Sequence, residues 1–128
     1  MSPIARTIAA AAAFAAVATG AAFAQNYSLN PLYGTANLTA GFTPDPYVVN
    51  VTSGGTRDAS SVSASCRGTI ADAPDFRVNY RAGSYPLIIS VNSSSDTTLV
   101  VNGPDGSWYC DDDSGVNGLN PSLRFGTP

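Results

Sequence analysis

The stretch Asp96 to Gly115, DTTLVVNGPDGSWYCDDDSG, constrains the fold of this chain more than any other. Thr97 to Asn102 is rich in β-branched residues, which suit a pleated surface. Gly103-Pro104-Asp105-Gly106 follows, with proline where a type I turn wants a preset φ and glycine where the chain leaves the turn. Ser107 to Cys110 then runs back, so the spacing predicts an antiparallel hairpin. The second strand ends in Cys110 and passes straight into Asp111, Asp112 and Asp113. One end of one hairpin therefore carries both a point of covalent attachment and a concentration of negative charge.

Around this hairpin the sequence reads as short strands cut by turn residues. Ala36 to Thr39 suggests an edge strand, and Tyr47 to Thr52 (YVVNVT) a full one between Pro46 and Gly54-Gly55. Ser60 to Ile70 alternates loosely, which would turn Cys66 inward. Phe76, Val78 and Tyr80 alternate cleanly with Arg77, Asn79 and Arg81. Leu87, Ile89 and Val91 share one face of the next strand, and Leu123 and Phe125 one face of the last. No segment has a helical period, so the expected fold is all-β, an antiparallel β-sandwich.

The N-terminus carries Arg6, an alanine-rich apolar run and Ala22-Phe23-Ala24, the form of a secretory signal peptide cleaved after Ala24. Residues 1–24 are thus read as signal and residues 25–128 as one domain, exported to the periplasm or the extracellular space. The apolar run is too short to span a bilayer and no other run approaches that length, so no transmembrane segment is expected after cleavage. Cleavage leaves five arginines against nine aspartates, with no Lys, Glu or His. That balance argues against a nucleic-acid partner, which requires a basic surface. The missing histidine excludes a Ser-His-Asp or Cys-His apparatus and a His-ligated zinc site within the chain. Without lysine as well, every serine lacks a side-chain base, and the chain is read as non-catalytic.

Cys66 and Cys110 are the only cysteines. In an oxidising compartment they suggest one disulfide, with two free thiols as the other reading. Chain entropy gives such a cross-link about 4 kcal/mol.

The run DTTLVVNGPDGSWYCDDDSG followed by NPSLRF resembles the C-terminal half of the bacterial pre-peptidase C-terminal domain family. The whole mature chain, including SLNPLYGTANLTAGFTPDP, IADAPDFRVNY and AGSYPLIISVNS, is similar to a group of small exported alphaproteobacterial proteins, some of them labelled peptidase S1. The resemblance implies a jelly-roll-like sandwich of roughly eight strands. It also implies a further closing strand of the type S-G-x-Y-x-I-x-V beyond Pro128, so the domain is expected to be truncated at its C-terminus. Members of the broader family are accessory domains of secreted enzymes, some binding calcium or a polymeric substrate.

Asp96, Asp111, Asp112 and Asp113, with the amides of Asn117 and Asn120, would suit Ca²⁺, a hard cation that takes about six to eight oxygen ligands. The alternative is a solvated turn whose aspartates bond their own backbone. Trp108 and Tyr109 point to opposite faces of their strand. Trp108 is expected to pack inward with Cys110, leaving Tyr109 as the outward aromatic and a candidate ligand contact. Three functions stand open: a binding module for a protein or glycan, an accessory partner of a secreted peptidase, and an Asp-based hydrolase. The last needs two carboxylates facing across a cleft.

Overall fold

The computed structural model describes residues 25–115 and 117–128. The signal-peptide reading of residues 1–24 lies outside the described residues. The fold is all-β. Its strands are β1 (Thr35–Thr39), β2 (Arg57–Asp58), β3 (Thr69–Ile70), β4 (Arg77–Arg81), β5 (Leu87–Ser90), β6 (Leu99–Asn102), β7 (Trp108–Asp111) and β8 (Ser122–Phe125), with one 3₁₀ turn at Ala59–Ser61. No helix among the described residues is long and apolar enough to cross a membrane.

The strands join as four two-stranded ribbons rather than as two continuous sheets. β2 with β3, β5 with β8 and β6 with β7 are antiparallel. The antiparallel expectation does not extend to the remaining ribbon: β1 lies parallel to β4, with Thr35 opposite Arg77 and Thr39 opposite Arg81. Parallel pairing needs a long crossover, and the whole stretch from Ala40 to Phe76 supplies it.

The strand expected at Tyr47 to Thr52 is absent, and Tyr47, Val48 and Val51 stand 44%, 71% and 43% exposed. Alternation alone does not make a strand when no neighbour takes up its backbone groups. Ser60 to Ile70 is likewise mostly turn. Asp58 caps the 3₁₀ turn by accepting from the Ser60 amide at 2.9 Å, and only Thr69–Ile70 is extended. Cys66 is nonetheless fully buried, brought inward by a turn in which its amide donates to the Ser63 carbonyl.

Cys66 and Cys110 form a disulfide, with Cα atoms 5.3 Å apart and a sequence separation of 44. Among the described residues the buried apolar side chains are small: Ala36, Ala59, Cys66 and Pro121. Most strand residues that face inward are only half-buried, so the cross-link and the loop hydrogen bonds carry much of what a larger core would supply.

Candidate functional site

The hairpin forms as its sequence suggests. The Gly106 amide donates to the Gly103 carbonyl at 3.0 Å, closing the turn. Gly106 then takes φ +81, the left-handed conformation that glycine adopts without penalty. The Gly103 amide bonds the Ser107 carbonyl, and Val100 faces Cys110 across the ladder.

At the far end of β7, Asp111 turns its carboxylate back into the loop. It accepts from the Ser114 amide at 3.0 Å, the Ser114 hydroxyl at 2.5 Å and the Ser122 amide at 2.8 Å. Partial burial raises its carboxyl, but these hydrogen bonds prevail and hold it below the ordinary value of 3.8. Asp111 thus fastens the acidic loop to the first residue of β8.

Asp112 and Asp113 are left facing solvent, and Asp96 joins them from the loop between β5 and β6. Carboxylate oxygens of Asp96, Asp112 and Asp113 lie within 4.8 Å of one another. Asp113 is pushed above the ordinary carboxylate value, first by desolvation and then by the charges of Asp112, Asp96 and Asp111. The ion pair between Arg57 and Asp72 involves none of these carboxylates.

Asn120 brings the two loops together. It is 2% exposed, its Oδ1 accepts from the Thr97 hydroxyl at 2.8 Å, and its Nδ2 donates to the Ser93 carbonyl at 2.9 Å. The Thr97 amide bonds the Leu119 carbonyl, and the Gly115 amide bonds the Asn120 carbonyl at 2.7 Å. A side chain on Gly115 would collide with that same carbonyl, so glycine is what lets the acidic loop close on Asn120.

Of the four aspartates that the sequence singled out, three are gathered and Asp111 is not among them. Asn120 is a strut, its side-chain oxygen already taken by Thr97, and Asn117 lines a concavity beside β5 and β8. Tyr109 is not the free outward aromatic expected. Its ring packs edge-to-face on Phe125 with centroids 5.2 Å apart, and its hydroxyl donates to Asp105 Oδ2 at 3.1 Å. Trp108 is half-buried, with the ring of Tyr27 edge-on to it and centroids 6.2 Å apart. Sequence reasoning missed the supporting residues Thr97, Ser114 and Ser122. The available signal was the Asn120-Pro121 dipeptide, which marks a turn.

Two open concavities lie elsewhere. One of about 350 Å³ lies over β1 and β4, and one of about 470 Å³ is lined by Ile88, Ser90, Asn92, Asn117 and Ser122 among others. Neither includes the gathered carboxylates. Fold and site together define an all-β, disulfide-bonded chain with an acidic cluster. No family model, no curated protein and no solved structure matches it.

Proposed function

We propose that this chain is a non-catalytic binding module, exported from the cell, whose acidic-loop end takes Ca²⁺ and engages a protein or glycan partner. The observation that carries this reading is the convergence of Asp96, Asp112 and Asp113 from two loops that Asn120 and Asp111 hold in place. Three like charges so close repel one another, and a divalent cation would turn that repulsion into attraction. Three carboxylates supply the hard oxygen donors that Ca²⁺ prefers, with water and loop carbonyls to complete its shell. The disulfide is compatible with an oxidising compartment. The resemblance to pre-peptidase C-terminal domains supports an accessory role beside a secreted peptidase.

Hydrolysis is the weaker reading, because the carboxylates stand on exposed loops and line neither concavity. A fluorophosphonate probe is expected to label no serine. Labelling at a single serine would overturn the non-catalytic assignment.

Calcium titration tests the site. Binding to the folded state alone raises Tm by mass action, and a concentration 100 times Kd adds about 2.7 kcal/mol. Asp112→Asn should abolish that rise while leaving the metal-free chain equally stable or slightly more so. Mg²⁺ should serve poorly, because it requires a stricter octahedron and keeps its water. No heat and no thermal shift at millimolar Ca²⁺ would reduce Asp96, Asp112 and Asp113 to a solvated turn.

A further inference from the structure

β1 is an edge strand, paired with β4 on one side only among the described residues. Arg77 donates its amide to the Gly34 carbonyl and Ala40 donates to the Arg81 carbonyl, which fixes the phase of the parallel ladder. Ala36 and Leu38 accordingly turn their backbone groups toward β4, and Thr35, Asn37 and Thr39 turn theirs away. Among the described residues nothing accepts from or donates to those outward groups, and all three residues are exposed.

Natural edges are shielded by charge, proline, bulges or a covering loop. Thr35–Thr39, TANLT, has no charge and no proline, and no covering segment shows in its burial. Its sequence is also nearly palindromic. Laid antiparallel on a second copy about a two-fold axis at Asn37, it sets Thr35 opposite Thr39, Ala36 opposite Leu38 and Asn37 opposite Asn37. The outward residues are those whose N–H and C=O groups point to the partner, so each would exchange both bonds in a hydrogen-bonded pair. Threonine pairs and an aliphatic pair are favourable cross-strand neighbours. The Asn79 amide donates to Asn37 Oδ1 at 2.9 Å and holds that side chain toward β4, clear of the axis.

Charge selects this edge over the other side of the same ribbon. Pairing β4 with itself about Asn79 would set Arg77 opposite Arg81 at both ends, like charges directly across from one another. We infer that β1 is a homodimerisation edge, joining two chains into a four-stranded sheet in the order β4, β1, β1, β4. A pairing of five residues buries less than the roughly 1,200 Å² of a standard stable interface. The dimer is therefore reversible and depends on concentration.

Sedimentation of the purified chain from about 1 µM to about 1 mM tests this. The apparent mass should climb from one chain toward two. Asn37→Pro removes an N–H that β4 does not use, so it should hold the mass at one chain, with the circular dichroism of the folded protein retained. A second pair of variants keeps the test independent of that fold. Thr35→Lys with Thr39→Asp sets opposite charges across the axis and should strengthen the dimer about fivefold, whereas Thr35→Lys with Thr39→Lys sets like charges there and should weaken it by a similar factor. A single-chain mass at every concentration would overturn the inference, and so would a dimer that all these variants leave unchanged.

Discussion

Asp111, Asp112 and Asp113 are adjacent and chemically identical, yet their surroundings give them opposite tasks. Asp111 is consumed by Ser114 and Ser122, and its lowered carboxyl means that the folded state prefers it ionised. Its contribution to stability is present above the ordinary value of 3.8 and is lost as pH falls below that toward the folded-state value. Asp113 is raised, so the metal-free fold disfavours its charge, and Ca²⁺ should bind less well as acid protonates it. Asp75 shows the same sign away from the site. Burial raises its carboxyl, and its Oδ1 is buried with no hydrogen-bond partner among the described residues. Asp75→Asn should raise Tm near pH 7, and the gain should vanish below pH 3.8, where both side chains are neutral. Thermal melts across that range check the sign. Asn120→Ala leaves the Thr97 hydroxyl and the Ser93 carbonyl without their partner, a loss of about 2 to 3 kcal/mol by denaturant titration. The same variant should also weaken Ca²⁺ binding, since the loop that carries Asp96 loses its anchor.

At the level of elements, the sequence disclosed strands that find a partner. β4, β5, β8 and the β6–β7 hairpin lie close to where alternation and turn residues put them, because each pairs its backbone with a neighbour and half-buries side chains along it. Tyr47 to Thr52 has the same alternation and stays unpaired, since pairing is a non-local fact that periodicity does not carry. The parallel partnership of β1 and β4 was hidden for the same reason. At the acidic site the carboxylates were legible as a run, but the exclusion of Asp111 was not. It follows from hydrogen bonds to Ser122, 11 residues away. The disulfide was legible by counting, and its effect is measurable: replacing both cysteines with alanine should cost about 2 to 4 kcal/mol. Mass spectrometry of unreduced protein should show no free thiol, and an unchanged Tm after reduction would contradict the stabilising role. Gly106→Ala should cost about 1 kcal/mol, because alanine meets a steric penalty at φ +81.

The whole molecule is a set of ribbons laced across a covalent ring. The bond between Cys66 and Cys110 encloses β3, β4, β5, β6 and most of β7, leaving β1, β2 and β8 outside. Each outer strand pairs with one inside the ring: β1 with β4, β2 with β3 and β8 with β5. The proposed export places the mature N-terminus at Gln25, which N-terminal sequencing of secreted material would verify; an intact alanine run would refute it. Under mechanical tension the ring gives the molecule a particular response. Load applied at the two ends passes through the sulfur bridge, peeling β1, β2 and β8 away, while the β6–β7 hairpin lies almost wholly within the bypassed arc. The arc, a sequence separation of 44, holds roughly 150 Å of contour length, hidden from the pulling axis until a reductant releases it. Oxidised and reduced chains would therefore reach different lengths under load, and pulling single molecules with and without a reductant would read that difference directly.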